Sequence, residues 1–86
     1  MEKDLKMYST ELIKNFPKEP KNKIYYVVYN EEMIPEAKFL IEIIWGKEYL
    51  DDNVEVISST KQGNKYDINN LYIDPTVYLY RNSWNN

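Results

Sequence analysis

The chain has 86 residues, a formal charge of −3, and neither cysteine nor histidine. At this length about 64% of the unfolded surface leaves water on folding, which supports one thin core and a single domain but not a pocket walled on all sides. The missing residue types exclude disulfides, thiolate nucleophiles and cysteine-based zinc sites, and remove the commonest general base and transition-metal ligand.

Residues 1–23 open with MEKDLKMYSTELIKNF, in which charges interrupt every apolar run before it reaches signal-peptide length. Leu5, Tyr8, Leu12, Ile13 and Phe16 recur at intervals of three and four, which predicts a helix over 3–15 with one apolar face. Pro17 and Pro20 forbid its continuation and mark 16–22 as an extended connector.

The stretch KIYYVVYN (23–30) is β-branched and aromatic on both faces, the pattern of a central strand. In EEMIPEAKFLIEIIWG, Pro35 suits a first helical turn and Gly46 suits the residue just past the end. Ala37, Leu40, Ile41, Ile44 and Trp45 form one stripe that Phe39 and Ile43 widen, so cover on more than one side is expected. A strand follows over 53–60, then a KQGN hairpin turn, a strand over 65–73, an Asp74-Pro75 turn and a strand over 76–81, with 82–86 as a polar tail. The expected fold is a small single α+β domain of order α-β-α-β-β-β. Its sheet is mixed and mostly antiparallel, its first two strands are parallel, and its helices pack mainly on one face. The units within it are a helix over 3–15, a linker over 16–22, and a β-α-β-β-β body over 23–81.

Charge is uneven. Between Glu31 and Glu55 eight acids face two lysines, whereas residues 1–23 carry six lysines and four acids. Such a band repels phosphate and speeds encounter with a basic partner, so Glu31, Glu32, Glu36, Glu42, Asp51 and Asp52 are candidate partner-binding residues. Solvated helix faces are commonly acidic too, especially near their N-termini. Tyr72, Tyr78 and Tyr80 alternate with aliphatic residues, and with Trp84 they form a candidate exposed aromatic platform. Lys61, Lys65 and Arg81 balance Glu55, Asp67 and Asp74 there, so the positive frame of a base-stacking sheet is missing.

Asp51-Asp52 follows no calcium-loop spacing, the two glycines form no phosphate loop, and the serines have no histidine to activate them. No cofactor, metal or catalytic residue is expected. Lysine, asparagine, isoleucine and tyrosine supply 38 of 86 residues against one arginine, a composition of AT-rich coding such as a low-GC bacterium or its phages. The expectation is therefore a cytoplasmic, non-catalytic protein-binding module with no membrane association. Its partner is a protein with a basic surface, and an inhibitor of a host nucleic-acid-handling or defence enzyme fits that description. A sheet-surface binder of single-stranded nucleic acid and a homodimeric structural or regulatory subunit are the alternatives.

Overall fold

The computed structural model describes residues 2–59 and 70–79, with side chains from Met7 onward. In chain order these form helix α1 (Glu2–Lys14), strand β1 (Ile24–Val28), a 3₁₀ turn (Glu31–Met33), helix α2 (Ile34–Trp45), helix α3 (Lys47–Asn53), strand β2 (Val54–Ser58), strand β3 (Leu71–Ile73) and a short helix α4 over 75–79. The three strands make one parallel sheet in the order β2-β1-β3.

β1 lies in the middle, as its two apolar faces demand. Tyr26 is flanked by Val56 and Tyr72, and Val27 by Ile57 and Ile73. Alternation sends Ile24, Tyr26 and Val28 to the inner face, where they cluster with Val54, Val56, Ile13, Phe16, Ala37, Ile41 and Leu50. Side chains from all three longer helices therefore cover this face, and each fully buried aliphatic contributes about 1.5–3 kcal/mol.

α1 docks through Ser9 and Ile13, with Phe16 just past its end, all three buried, while Tyr8 of the expected apolar face is turned to solvent. A polar residue takes the inward position because its hydroxyl has a buried acceptor, described below. The Trp45 indole N–H donates to the Ile13 carbonyl at 2.7 Å and fixes α1 against α2.

The sheet departs from the mostly antiparallel arrangement. β2 and β3 do not pair with each other; both pair with β1, one on each side. The reason is burial: a β2-β3 hairpin would leave β1, the most apolar strand, at an edge. The KQGN turn and residues 65–69 of the expected third strand lie outside the described residues.

The expected fourth strand over 76–81 is a second departure, because 75–79 is helical; residues 80 and 81 lie outside the described residues. Asp74 Oδ1 accepts the Thr76 backbone N–H at 2.9 Å, and Pro75 occupies a first-turn position that needs no N–H. Val77 is buried while Tyr78 and Leu79 are both exposed, a helical pattern rather than strand alternation. No helix among the described residues is long and apolar enough to cross a membrane.

Candidate functional site

Two features of this fold bring unusual side chains together: the outer face of α2 and a buried carboxylate at the carboxyl end of the sheet.

The α2 face begins with Glu31 and Glu32 in the 3₁₀ turn, followed by Pro35 and Glu36 in the first turn of the helix, where acids suit the helix dipole. Ala37 and Ile41 point inward and are buried; Leu40, Ile44 and Trp45 are half-buried against the core. On the opposite side Phe39 and Ile43, one helical turn apart, are 60% and 63% exposed. The expected second cover over these two residues is not formed. Only the inner side of α2 is buried against the core, which leaves Phe39 and Ile43 on its outer side in water.

Glu36 and Glu42 stand three residues before and after Phe39, so one acid lies on each flank of the aromatic ring. At Gly46 the backbone takes φ 105°, ψ 155°, which turns the chain from α2 into α3. There Trp45 stacks on Tyr49 with centroids 4.6 Å apart, and the Tyr49 hydroxyl donates to the Pro17 carbonyl. Burial pushes the Tyr49 hydroxyl above its ordinary pKa. α3 adds Glu48, Asp51 and Asp52, all exposed. Lys47 donates to Asp51 at 3.1 Å, and that bond holds its ammonium pKa above the usual value. Being exposed to solvent, the pair contributes little to stability. It does neutralise one of the two lysines within the band.

The six candidate acids thus occupy consecutive elements: Glu31 and Glu32 on the 3₁₀ turn, Glu36 and Glu42 on α2, Asp51 and Asp52 on α3, each exposed. The aromatic platform fares differently. Tyr72 pairs in register with Tyr26 and faces the core, where its ring meets Phe16 edge-on at 4.8 Å. Tyr78 is exposed, but on α4 rather than on a strand. Tyr80 and Trp84 lie outside the described residues. Tyr72 and Tyr78 therefore share no sheet face on which bases could stack.

The buried carboxylate is Asp74, immediately after β3. Its Oδ2 accepts the Ser9 hydroxyl at 2.7 Å and the Tyr26 hydroxyl at 2.5 Å, while Oδ1 caps α4. The Asp74 N–H donates to the Val27 carbonyl at 2.8 Å and prolongs the β1-β3 ladder. Burial, then the bond to Asp74, raises the Tyr26 pKa far above the ordinary tyrosine range. With both hydroxyl protons directed at one carboxylate, the arrangement ties α1, β1 and β3 together. Asn30 Oδ1 and Thr76 Oγ1 are buried without a hydrogen-bond partner. Among the described residues no three acidic side chains gather closely enough to hold a metal ion.

Reading the sequence missed Phe39 and Ile43 as surface residues and Ser9, Tyr26 and Asp74 as a network. The signal for the first was their position opposite Ala37 and Ile41 on the helix. For the second it was Asp-Pro, a helix-start pair as much as a turn. Comparison of the chain with protein-family models, with curated proteins and with solved structures gives no match.

Proposed function

We propose that the protein is a non-catalytic binding module that engages a basic protein surface through the outer face of α2 and the acids around it. The observation that carries this reading is the exposure of Phe39 and Ile43, 60% and 63%, with Glu36 and Glu42 flanking them. An apolar centre with a charged rim is the composition of a protein interface, in which the centre supplies affinity and the rim supplies orientation and encounter rate. Basic clefts are the mark of enzymes that handle nucleic acid, so a cytoplasmic, phage- or mobile-element-encoded inhibitor of such an enzyme, or of a defence enzyme, fits the charge and the AT-rich coding. The acids disfavour DNA or RNA as the direct ligand because phosphate is repelled.

The test begins with affinity capture from a low-GC bacterial lysate, using the intact chain and a variant carrying Glu36→Lys, Glu42→Lys and Asp52→Lys. A protein retained by the first and lost by the second is then purified and its association followed by stopped flow. Charge reversal slows association about 10-fold or more and flattens its salt dependence. Equal retention and equal kinetics for the two chains refute the reading.

A further inference from the structure

We infer that the segment seated on the α2 face is a basic amphipathic helix of the partner. The inference rests on the reading above and specifies the shape of what binds.

Pro35, Phe39 and Ile43 succeed one another at intervals of four and are all exposed, so they form a single ridge along the outside of α2. The neighbouring row at the same spacing is Glu36, Leu40 and Ile44, of which the last two are half-buried. Between the rows runs a groove with one apolar wall standing free and one set into the domain. Helices interlock through ridges of this spacing laid into grooves of this spacing. An extended strand or a loop would need a row of unpaired backbone groups to dock on, and an α-helix satisfies its own N–H and C=O groups. The ridge is about 12 Å long at the rise of an α-helix, which accepts two to three turns of a crossing helix.

The sign of the occupant follows from the rim. Glu36 lies on one flank of the ridge and Glu42 on the other; in the chain Glu31 and Glu32 precede it in the 3₁₀ turn and Asp52 follows it on α3. Lys38 lies on the ridge's Glu42 side, and Lys47 is engaged by Asp51. A second copy of this chain would bring like charges together over Phe39, which costs association rather than aiding it. A helix with apolar residues at intervals of three and four and lysine or arginine on its flanks meets both the groove and its rim.

The experiment is a selection of random 18-residue peptides displayed on particles against the immobilised full chain, after which each winner is titrated against the full chain and against a Phe39→Ala/Ile43→Ala chain. Both positions are exposed and alanine favours helix, so the variant keeps its fold, which circular dichroism checks. The expected winners carry apolar residues at helical spacing and basic flanks, become helical on binding, and bind the variant about 30-fold more weakly, the loss typical of a buried aromatic anchor. Basic winners without helical spacing, held equally by the variant, overturn the helix and leave the acidic-surface reading standing. Winners without basic residues, insensitive to the Glu36→Lys, Glu42→Lys and Asp52→Lys chain, overturn both.

Discussion

If Asp74 ties α1 and β1 to β3, removing its carboxylate strands the two hydroxyls it serves, and a double-mutant cycle with Tyr26 measures the tie. Tyr26→Phe deletes one donor and leaves the carboxylate with Ser9 and the Thr76 N–H. A hydrogen bond to a charged acceptor is worth about 1.5–3 kcal/mol, so this variant loses about 2 kcal/mol. Asp74→Ala leaves the Tyr26 hydroxyl in a residue with 0% exposure and the Ser9 hydroxyl in one with 7%. Each of the two stranded donors costs about 1–3 kcal/mol and the lost cap of α4 about 1 kcal/mol, which puts the single variant near ~5 kcal/mol. In the Asp74→Ala background, Tyr26→Phe removes a hydroxyl that is already stranded, so it recovers about 2 kcal/mol instead of costing them. The double variant is therefore about 4 kcal/mol more stable than the sum of the singles implies. Urea unfolding followed by far-UV circular dichroism reads this directly, since each kcal/mol moves the midpoint by about 0.5–1 M. Should Asp74→Ala leave too little native protein, Asp74→Asn keeps the Oδ1 cap and closes the same cycle at smaller amplitude. Additivity within about 0.5 kcal/mol would refute the tie and reduce Asp74 to a helix cap.

The same hydroxyl governs stability in alkali. The folded-state pKa of Tyr26 lies above its unfolded value near 10, so the native chain holds this proton after the unfolded chain has lost it. Its contribution is fully present below about pH 10 and declines above it by about 1.4 kcal/mol per pH unit, with Tyr49 adding in the same direction. Urea midpoints from pH 8 to 11.5 measure the slope, and in Tyr26→Phe it should be one proton shallower. Gly46 has φ 105° and ψ 155°, yet a Cβ there would meet nothing within 4 Å. Gly46→Ala should accordingly cost about 1–3 kcal/mol by backbone strain alone. Placing D-alanine there by chemical synthesis should restore stability; if it does not, a steric clash is the cause. Thr76→Val keeps the shape and deletes a buried hydroxyl that has no partner, so it should raise stability by about 1 kcal/mol in the same assay. A loss would mean that the hydroxyl is satisfied in solution.

How far the sequence reveals this fold depends on whether each decision is local. The two long helices are set by periodicity over ten or more residues, the second also by Pro35 and Gly46, and the central strand by its β-branched and aromatic run; all three lie where the pattern puts them. The sequence pattern does not announce α3, because KEYLDDN is short and polar, with only Tyr49 and Leu50 turned inward. The sheet order was not local at all. A glycine in KQGN signals a turn, but nothing near it says that the strands on either side must be separated by one that was made thirty residues earlier. The sequence TVYLYR satisfies a two-residue alternation as well as it satisfies one turn of helix, and the capping carboxylate of Asp74 decides between them. At the candidate site, the acids were legible because charge seldom enters a thin core. Phe39 and Ile43 were not, since an apolar residue on a helix reads as core until the number of covered sides is known.

The bond between Ser9 and Asp74 spans 65 positions of the chain. At ribosomal rates of about 5–20 residues per second, several seconds pass between the synthesis of the first partner and that of the second. Throughout that interval β1 has its β2 neighbour at most, and the helix that carries Ser9 has no acceptor for its inward hydroxyl. Completion of the domain is therefore a late event that waits on a three-residue strand and the aspartate behind it. Slowing translation between codons 59 and 74 should lengthen the period in which a nascent chain is open to proteases, without altering the protein finally made.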